Sequence, residues 1–171
     1  MEDCQSTPYN VPTLPARIPG NGELDKGIGL HVTGRYKIIS LDTYRLKVVG
    51  NIDNQLELTY DQIRCLPRVT ANPLLVCPGL FKDSASWTGV TIQSILDLSG
   101  VSDRAEDLVL ISAEGYRVRV PLLNILQKDG LLAYEVNGQI LPILHGFPLR
   151  AVLPDITGMK WVKWLVEIQV K

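Results

Sequence analysis

Histidine is nearly missing from this chain: His31 and His145 are the only two among 171 residues. A metal centre built on several imidazoles is therefore excluded, as is any chemistry that needs three histidines. Cysteine is almost as scarce. Cys4, Cys65 and Cys77 are too few and too scattered for a disulfide framework, although they allow one bridge with an odd thiol left over. No C-x-x-C pair occurs, which removes zinc ribbons, thioredoxin-type redox chemistry and c-type haem attachment. An excess of one charge sign is missing too, since 17 Lys and Arg face 18 Asp and Glu for a formal net charge of −1. That balance gives no electrostatic reason to bind nucleic acid or an anionic membrane. Apolar runs fall far short of the roughly 20 residues that cross a bilayer, and no N-terminal stretch resembles a signal peptide. The start Met1-Glu2-Asp3-Cys4 is compatible with a cytoplasmic chain and, as the lesser alternative, with an extracytoplasmic one whose leader has been removed. The compartment stays open.

What is present is a turn-rich chain long enough for one domain with a real core. Its 14 glycines and 11 prolines favour short elements over long helices. Residues 1–43 space Pro8, Pro12, Pro15 and Pro19 ahead of a run of glycines, which leaves no room for a helix. They read as an extended arm, with residues 44–171 as the domain proper. Tyr44–Val49 alternates as a half-buried strand, and Thr59 with Gln62 forms a capping-box pair for a short helix that Pro67 stops. Leu74–Val76 is a short apolar strand that delivers Cys77 to the Pro78-Gly79 turn. Ile92, Ile95 and Leu96 share a helical face closed by Gly100. Leu108–Ser112 and Tyr116–Val120 read as strands, and Pro121 opens another short helix. Asn137-Gly138 is the turn of a hairpin between residues 132–136 and 139–141. A last strand is expected to place Val162, Trp164, Val166, Ile168 and Val170 on one face. The sum is a β-rich α+β domain of mixed sheets with short peripheral helices.

Chemistry has few footholds. No phosphate-binding glycine loop, dinucleotide fingerprint or Gly-x-Ser-x-Gly elbow occurs. Cys77 stands at a strand end beside a tight turn, and fits either a packed thiol or a reactive one. His145, Arg150, Lys160 and Lys163 gather near the C-terminus, and fit either a solvated face or an anion site. Cys65 reads as a helix-face core residue, and His31 has no partner near it in sequence.

The segment Leu131-Leu132-Ala133-Tyr134-Glu135-Val136-Asn137-Gly138-Gln139, with Leu141-Pro142 and His145-Gly146-Phe147-Pro148-Leu149-Arg150 after it, resembles the sulfite oxidase family of molybdopterin-binding domains. Val152-Leu153-Pro154, Gly158 and Val162-Lys163-Trp164 follow in the family's order, and Trp87-Thr88-Gly89 stands ten residues after Cys77, at the family's own separation. The likeness runs over roughly residues 42–170. It implies a sulfite-oxidase-type molybdopterin-binding fold and a molybdenum-cofactor oxidoreductase that performs two-electron oxygen-atom transfer on a small-molecule substrate. It further implies Cys77 as the thiolate ligand of molybdenum, beside the two sulfurs of one pyranopterin, and Tyr116 as the active-site tyrosine. Cofactor contacts would come from Ser112, His145, Arg150, Trp161, Val162 and Lys163, the backbone serving at Trp161 and Val162.

Two segments depart from the sulfite-oxidising pattern. An Asn-His-x-Pro-x-Pro motif that wraps the pterin is missing, with only His31 shared near its place. Pro78-Gly79-Leu80-Phe81-Lys82 also replaces Ala-Gly-Asn-Arg after the cysteine, which argues against sulfite as substrate. Without the family's dimerisation and haem domains, a monomer that passes electrons to a separate carrier is expected. The alternative is a non-catalytic binding module that keeps the fold without a functional metal centre.

Overall fold

A computed structural model describes Cys4 and residues 7–171. In chain order the strands are β1 (Leu24–Asp25), β2 (Leu30–His31), β3 (Leu46–Gly50), β4 (Leu56–Leu58), β5 (Val69–Ala71), β6 (Leu75–Cys77), β7 (Phe81–Asp83) and β8 (Trp87–Thr91). They continue as β9 (Asp107–Ser112), β10 (Arg117–Pro121), β11 (Leu131–Val136), β12 (Gln139–Ile140), β13 (Arg150–Val152) and β14 (Leu165–Val170). The helices are α1 (Tyr60–Arg64), α2 (Ile92–Ser99) and α3 (Leu122–Gln127).

One five-stranded sheet runs β10-β9-β14-β3-β4, and β14 lies parallel to β3 while the sheet's other pairings are antiparallel. The other sheet runs β12-β11-β8-β5, with β13 also paired to β11. One hydrophobic cluster joins them, taking Val48 and Ile168 from the first sheet and Val90 and Leu132 from the second. This is the expected β-rich architecture with short helices at its edge.

Local sequence explains most of these elements. Thr59 caps α1, its hydroxyl accepting from Gln62 N at 3.1 Å while Gln62 Oε1 accepts from Thr59 N at 2.9 Å. Gly100 closes α2 at φ 66°. Asn137 and Gly138 both take positive φ, as the tight β11–β12 turn requires. Val118 and Val120 are buried while Arg117 and Arg119 are exposed, so β10 has one wet face. Strand β11 is buried along its whole length, and Glu135 within it is held by Arg68 in two hydrogen bonds of 2.7 and 3.1 Å.

Two expectations fail. The last strand starts at Leu165, because Trp164 takes φ 53° and the pairing with β9 shifts between Leu165 and Glu167. Trp164 is fixed there by its N–H on Gly146 O and its indole N–H on Ile143 O. Tertiary hydrogen bonds thus override the alternation of residues 162–164. Cys65 is no core residue: it follows α1 and is disulfide-bonded to Cys4. Around that bridge Arg64 donates to Thr7 O at 2.8 Å and lies over the Tyr9 ring at 4.3 Å, and Tyr9 meets Tyr60 edge-on. Cys4, Thr7 and Tyr9 are therefore riveted to α1 and the residue after it. Because the bridge spans 61 residues, replacing both partners by serine is expected to cost about 4 kcal/mol on a chain-entropy basis. Denaturant titration of the double variant against the parent under non-reducing conditions measures it.

Candidate cofactor site

Cys77 ends β6, and Pro78-Gly79 reverses the chain with Gly79 at φ 75° and Leu80 N donating to Cys77 O at 3.0 Å. Phe81 of β7 is the register partner of Cys77. The hairpin opens onto a cavity of about 380 Å³, whose wall also includes Tyr116, Arg150, Trp161, Val162 and Lys163. Gly158 passes so close that a Cβ there would stand 2.8 Å from Cys77 Sγ, so only glycine leaves room beside the sulfur. Burial pushes the Cys77 thiol up, against the pull of nearby Arg150.

Arg150 opens β13 and is 5% exposed. Its guanidinium lies 4.9 Å from the Trp87 ring centre, Nη1 donates to His145 O at 3.2 Å, and Nε has no partner. Lys163 donates to Thr33 O, and to Thr33 Oγ1 at 3.1 Å. Neither cation forms an ion pair among the described residues. Burial pulls Arg150 down to about 10, and burial reinforced by Arg150 pulls Lys163 down to about 7. Cations withdrawn from water without a direct ion pair are costly, and an anion in the cavity relieves that cost. Gly146 at φ 117° lets them share the site, since a Cβ there would lie 3.1 Å from Lys163 and 3.2 Å from Arg150.

The sign of the pH effect follows from Lys163. Its charged form is disfavoured in the empty protein above about 7, and a bound anion restores it. Anion binding is therefore expected to take up a proton at pH 8 and to weaken as pH rises further. Calorimetry with inorganic pyrophosphate in buffers of different ionisation enthalpy measures this, and Lys163→Met is expected to abolish the uptake.

The remaining candidates divide. Tyr116 is 44% exposed on the cavity wall, with its hydroxyl donating to Met159 O at 2.9 Å. Ser112 lies behind it: its Oγ accepts from Tyr116 N at 3.0 Å, so it holds the β9–β10 turn. Trp161 and Val162 line the cavity, but their backbone N–H groups already donate to Gly158 O and Lys160 O. His145 is fully buried behind the wall, with Nε2 2.9 Å from Asp25 Oδ2 and Nδ1 without a partner. Burial holds it down to about 4, so it is neutral. Lys160 donates to Arg119 O away from this wall.

Sequence reasoning missed His31. It does have a partner, Asp83, 52 residues away, and it lines the same cavity. Thr33, which receives Lys163, lies 130 residues from it and was equally invisible. No local signal marks either pair.

The family model of the oxidoreductase molybdopterin binding domain matches residues 33–171. The chain belongs to that family. It is 31% identical over 155 residues to an uncharacterized oxidoreductase of Bacillus subtilis, YuiH, covering 90% of this chain and 78% of that one. It is 32% identical over 161 residues to human mitochondrial sulfite oxidase, covering 76% of this chain and 29% of that protein. The chain thus spans under a third of the sulfite oxidase it matches. The sulfane dehydrogenase SoxCD of Paracoccus pantotrophus shares the fold, at a TM-score of 0.74 and 24% identity over 79% of this chain and 40% of that one.

Proposed function

We propose that this molybdopterin-domain protein is an oxidoreductase that carries out two-electron oxygen-atom transfer on a small substrate, with Cys77 as its thiolate ligand to molybdenum. One observation carries the reading: a free cysteine shares a cavity with a buried arginine and a half-buried lysine, neither of which is ion-paired among the described residues. The residues fit a pyranopterin phosphate on three counts. Arg150 Nε is buried without a partner among the described residues, Lys163 is held down by burial, and glycines leave room at Cys77 and between the two cations. When bound, the molybdenum cofactor supplies a centre that changes oxidation state by two electrons.

The chain's own residues then have distinct tasks. Cys77 offers a soft sulfur donor suited to such a metal. Arg150 and Lys163 hold the anionic tail, and His145, kept neutral by burial, fixes Arg150 through its carbonyl. Tyr116 stands at the mouth on the side of the substrate. Leu80, Phe81 and Met159 make that mouth apolar, which favours a substrate less charged than sulfite. Electrons are exchanged with a separate carrier protein, taken from it when an oxide is the substrate, and the chain works as a monomer.

Expression in a host that makes the cofactor, followed by metal analysis and a panel of sulfite, small sulfoxides and N-oxides with dye partners, tests this. The expected result is one molybdenum per chain and turnover with an uncharged oxide. A folded protein purified without molybdenum overturns it.

A further inference from the structure

The β9–β10 turn sets a carboxylate on the cavity wall that the oxygen-transfer reading leaves without a task. The turn reads Ala113-Glu114-Gly115-Tyr116, and both Glu114 and Tyr116 line the cavity. Its backbone is pinned by its own hydrogen bonds and by the neighbouring Trp164. Ser112 Oγ accepts from Tyr116 N at 3.0 Å, Ala113 N donates to Trp164 O at 2.8 Å, and Gly115 takes φ 89° while its N donates to Ser112 O at 3.0 Å. The Tyr116 hydroxyl is fastened to Met159 O. Glu114 thus sits on a fixed piece of chain, but it is exposed, and its carboxylate forms no hydrogen bond or ion pair among the described residues.

Charge on this wall is otherwise matched. His31 stands 2.7 Å from Asp83, Cys77 is the proposed metal ligand, and Arg150 and Lys163 are assigned to the anionic tail of the cofactor. Glu114 is left as the one charge without an opposite among the described residues. Lys163 feels it, since the carboxylate favours the ammonium against burial, but the hydrogen bonds of Lys163 go to Thr33. No exposed cation lines the cavity, because Arg150 is buried and Lys163 half-buried. An anionic substrate arriving from solvent therefore meets a like charge. A cation meets an opposite one, on a wall shared with Tyr116, Phe81 and Trp161, aromatic side chains of the kind that hold quaternary ammonium groups.

We propose that Glu114 is the specificity-determining residue of the cavity, and that the substrate is a small oxide, or its reduced form, that carries an ammonium group near the reacting atom. This rests on the oxygen-transfer reading and narrows its substrate class. The oxide itself stays uncharged. The ammonium pairs with Glu114, and the same carboxylate repels sulfite-like anions, so discrimination has an attractive and a repulsive part. Glu114 acts on binding through the ammonium and leaves the chemistry at the oxide to the cofactor.

Two methyl sulfoxides of one shape test this on the loaded protein. One bears a trimethylammonium group two carbons from sulfur, and the other a tert-butyl group in its place. The parent is expected to favour the cationic compound in kcat/KM. In Glu114→Gln that preference is expected to fall about 5-fold, the scale of one exposed ion pair, through KM rather than kcat. In Glu114→Lys it is expected to fall further, with molybdenum content unchanged in both variants. A preference that survives both substitutions, or a parent that favours the tert-butyl compound, overturns the proposal. Loss of molybdenum in Glu114→Gln would make Glu114 a support of Lys163 and overturns it as well. A second measurement needs no metal. Tetramethylammonium is titrated into the empty protein in excess pyrophosphate, and the amide NMR shifts of Ala113, Glu114 and Tyr116 are followed. The expected result is saturation in the parent, with an affinity about 5-fold lower in Glu114→Gln. Equal affinities, or no shift at these amides, overturn the proposal. A parent that binds no molybdenum fails the oxygen-transfer reading instead, and the titration still decides whether Glu114 selects cations.

Discussion

Cys77→Ser is expected to lose oxidoreductase turnover by more than about 100-fold, the scale on which even outer-shell metal partners are felt, while the fold is kept. Serine offers a hard, protonated oxygen where a redox-changing metal needs a soft thiolate. Nothing in the packing opposes the change. The thiol is partly exposed on a cavity wall, and Gly158 leaves space on its inner side. Stability is therefore expected within about 1 kcal/mol of the parent. On the proposed assignment of Arg150 and Lys163 to the anionic tail, which is independent of the sulfur, the variant is expected to retain cofactor. Turnover assays paired with thermal unfolding and metal analysis check all three statements together.

Arg150→Met is expected to move affinity and stability in opposite directions. Losing a charge-assisted contact to the cofactor phosphate costs about 3 kcal/mol, roughly a hundredfold in retention. The empty protein behaves differently. There Arg150 is a buried cation whose one hydrogen bond among the described residues goes to His145 O and whose burial draws it down to about 10. Methionine fills similar volume beside Trp87 without a charge to desolvate, so the empty variant is expected to melt no lower than the parent. A structural arginine would give the reverse pattern, with the empty variant strongly destabilised. Calorimetric unfolding of empty parent and variant, with pterin and metal content of the loaded forms, separates the two.

Short-range signals made most of the fold legible. The Thr59–Gln62 capping box, Gly100 after an apolar helical face and the Asn137-Gly138 turn each act within a few residues, and each appears where expected. The alternation of residues 162–164 misled because Trp164 answers to Gly146 and Ile143 rather than to a strand neighbour. The Cys4–Cys65 bridge and the His31–Asp83 clamp join residues 61 and 52 apart, and no local pattern encodes either. Arg150 and Lys163 look like surface charges by type. Their gathering near the C-terminus left a solvated face and an anion site both open, the family resemblance favoured the second, and the fold turns both onto the wall that holds Cys77 and Tyr116. Ser112 and His145, singled out by the same likeness, stand behind that wall as supports.

The proposed function stands on Cys77 sulfur as a ligand to the metal. X-ray absorption at the molybdenum edge, on loaded parent and loaded Cys77→Ser, tests it most directly. The expected result is one sulfur neighbour fewer in the variant than in the parent. An identical sulfur count in the two proteins would contradict it.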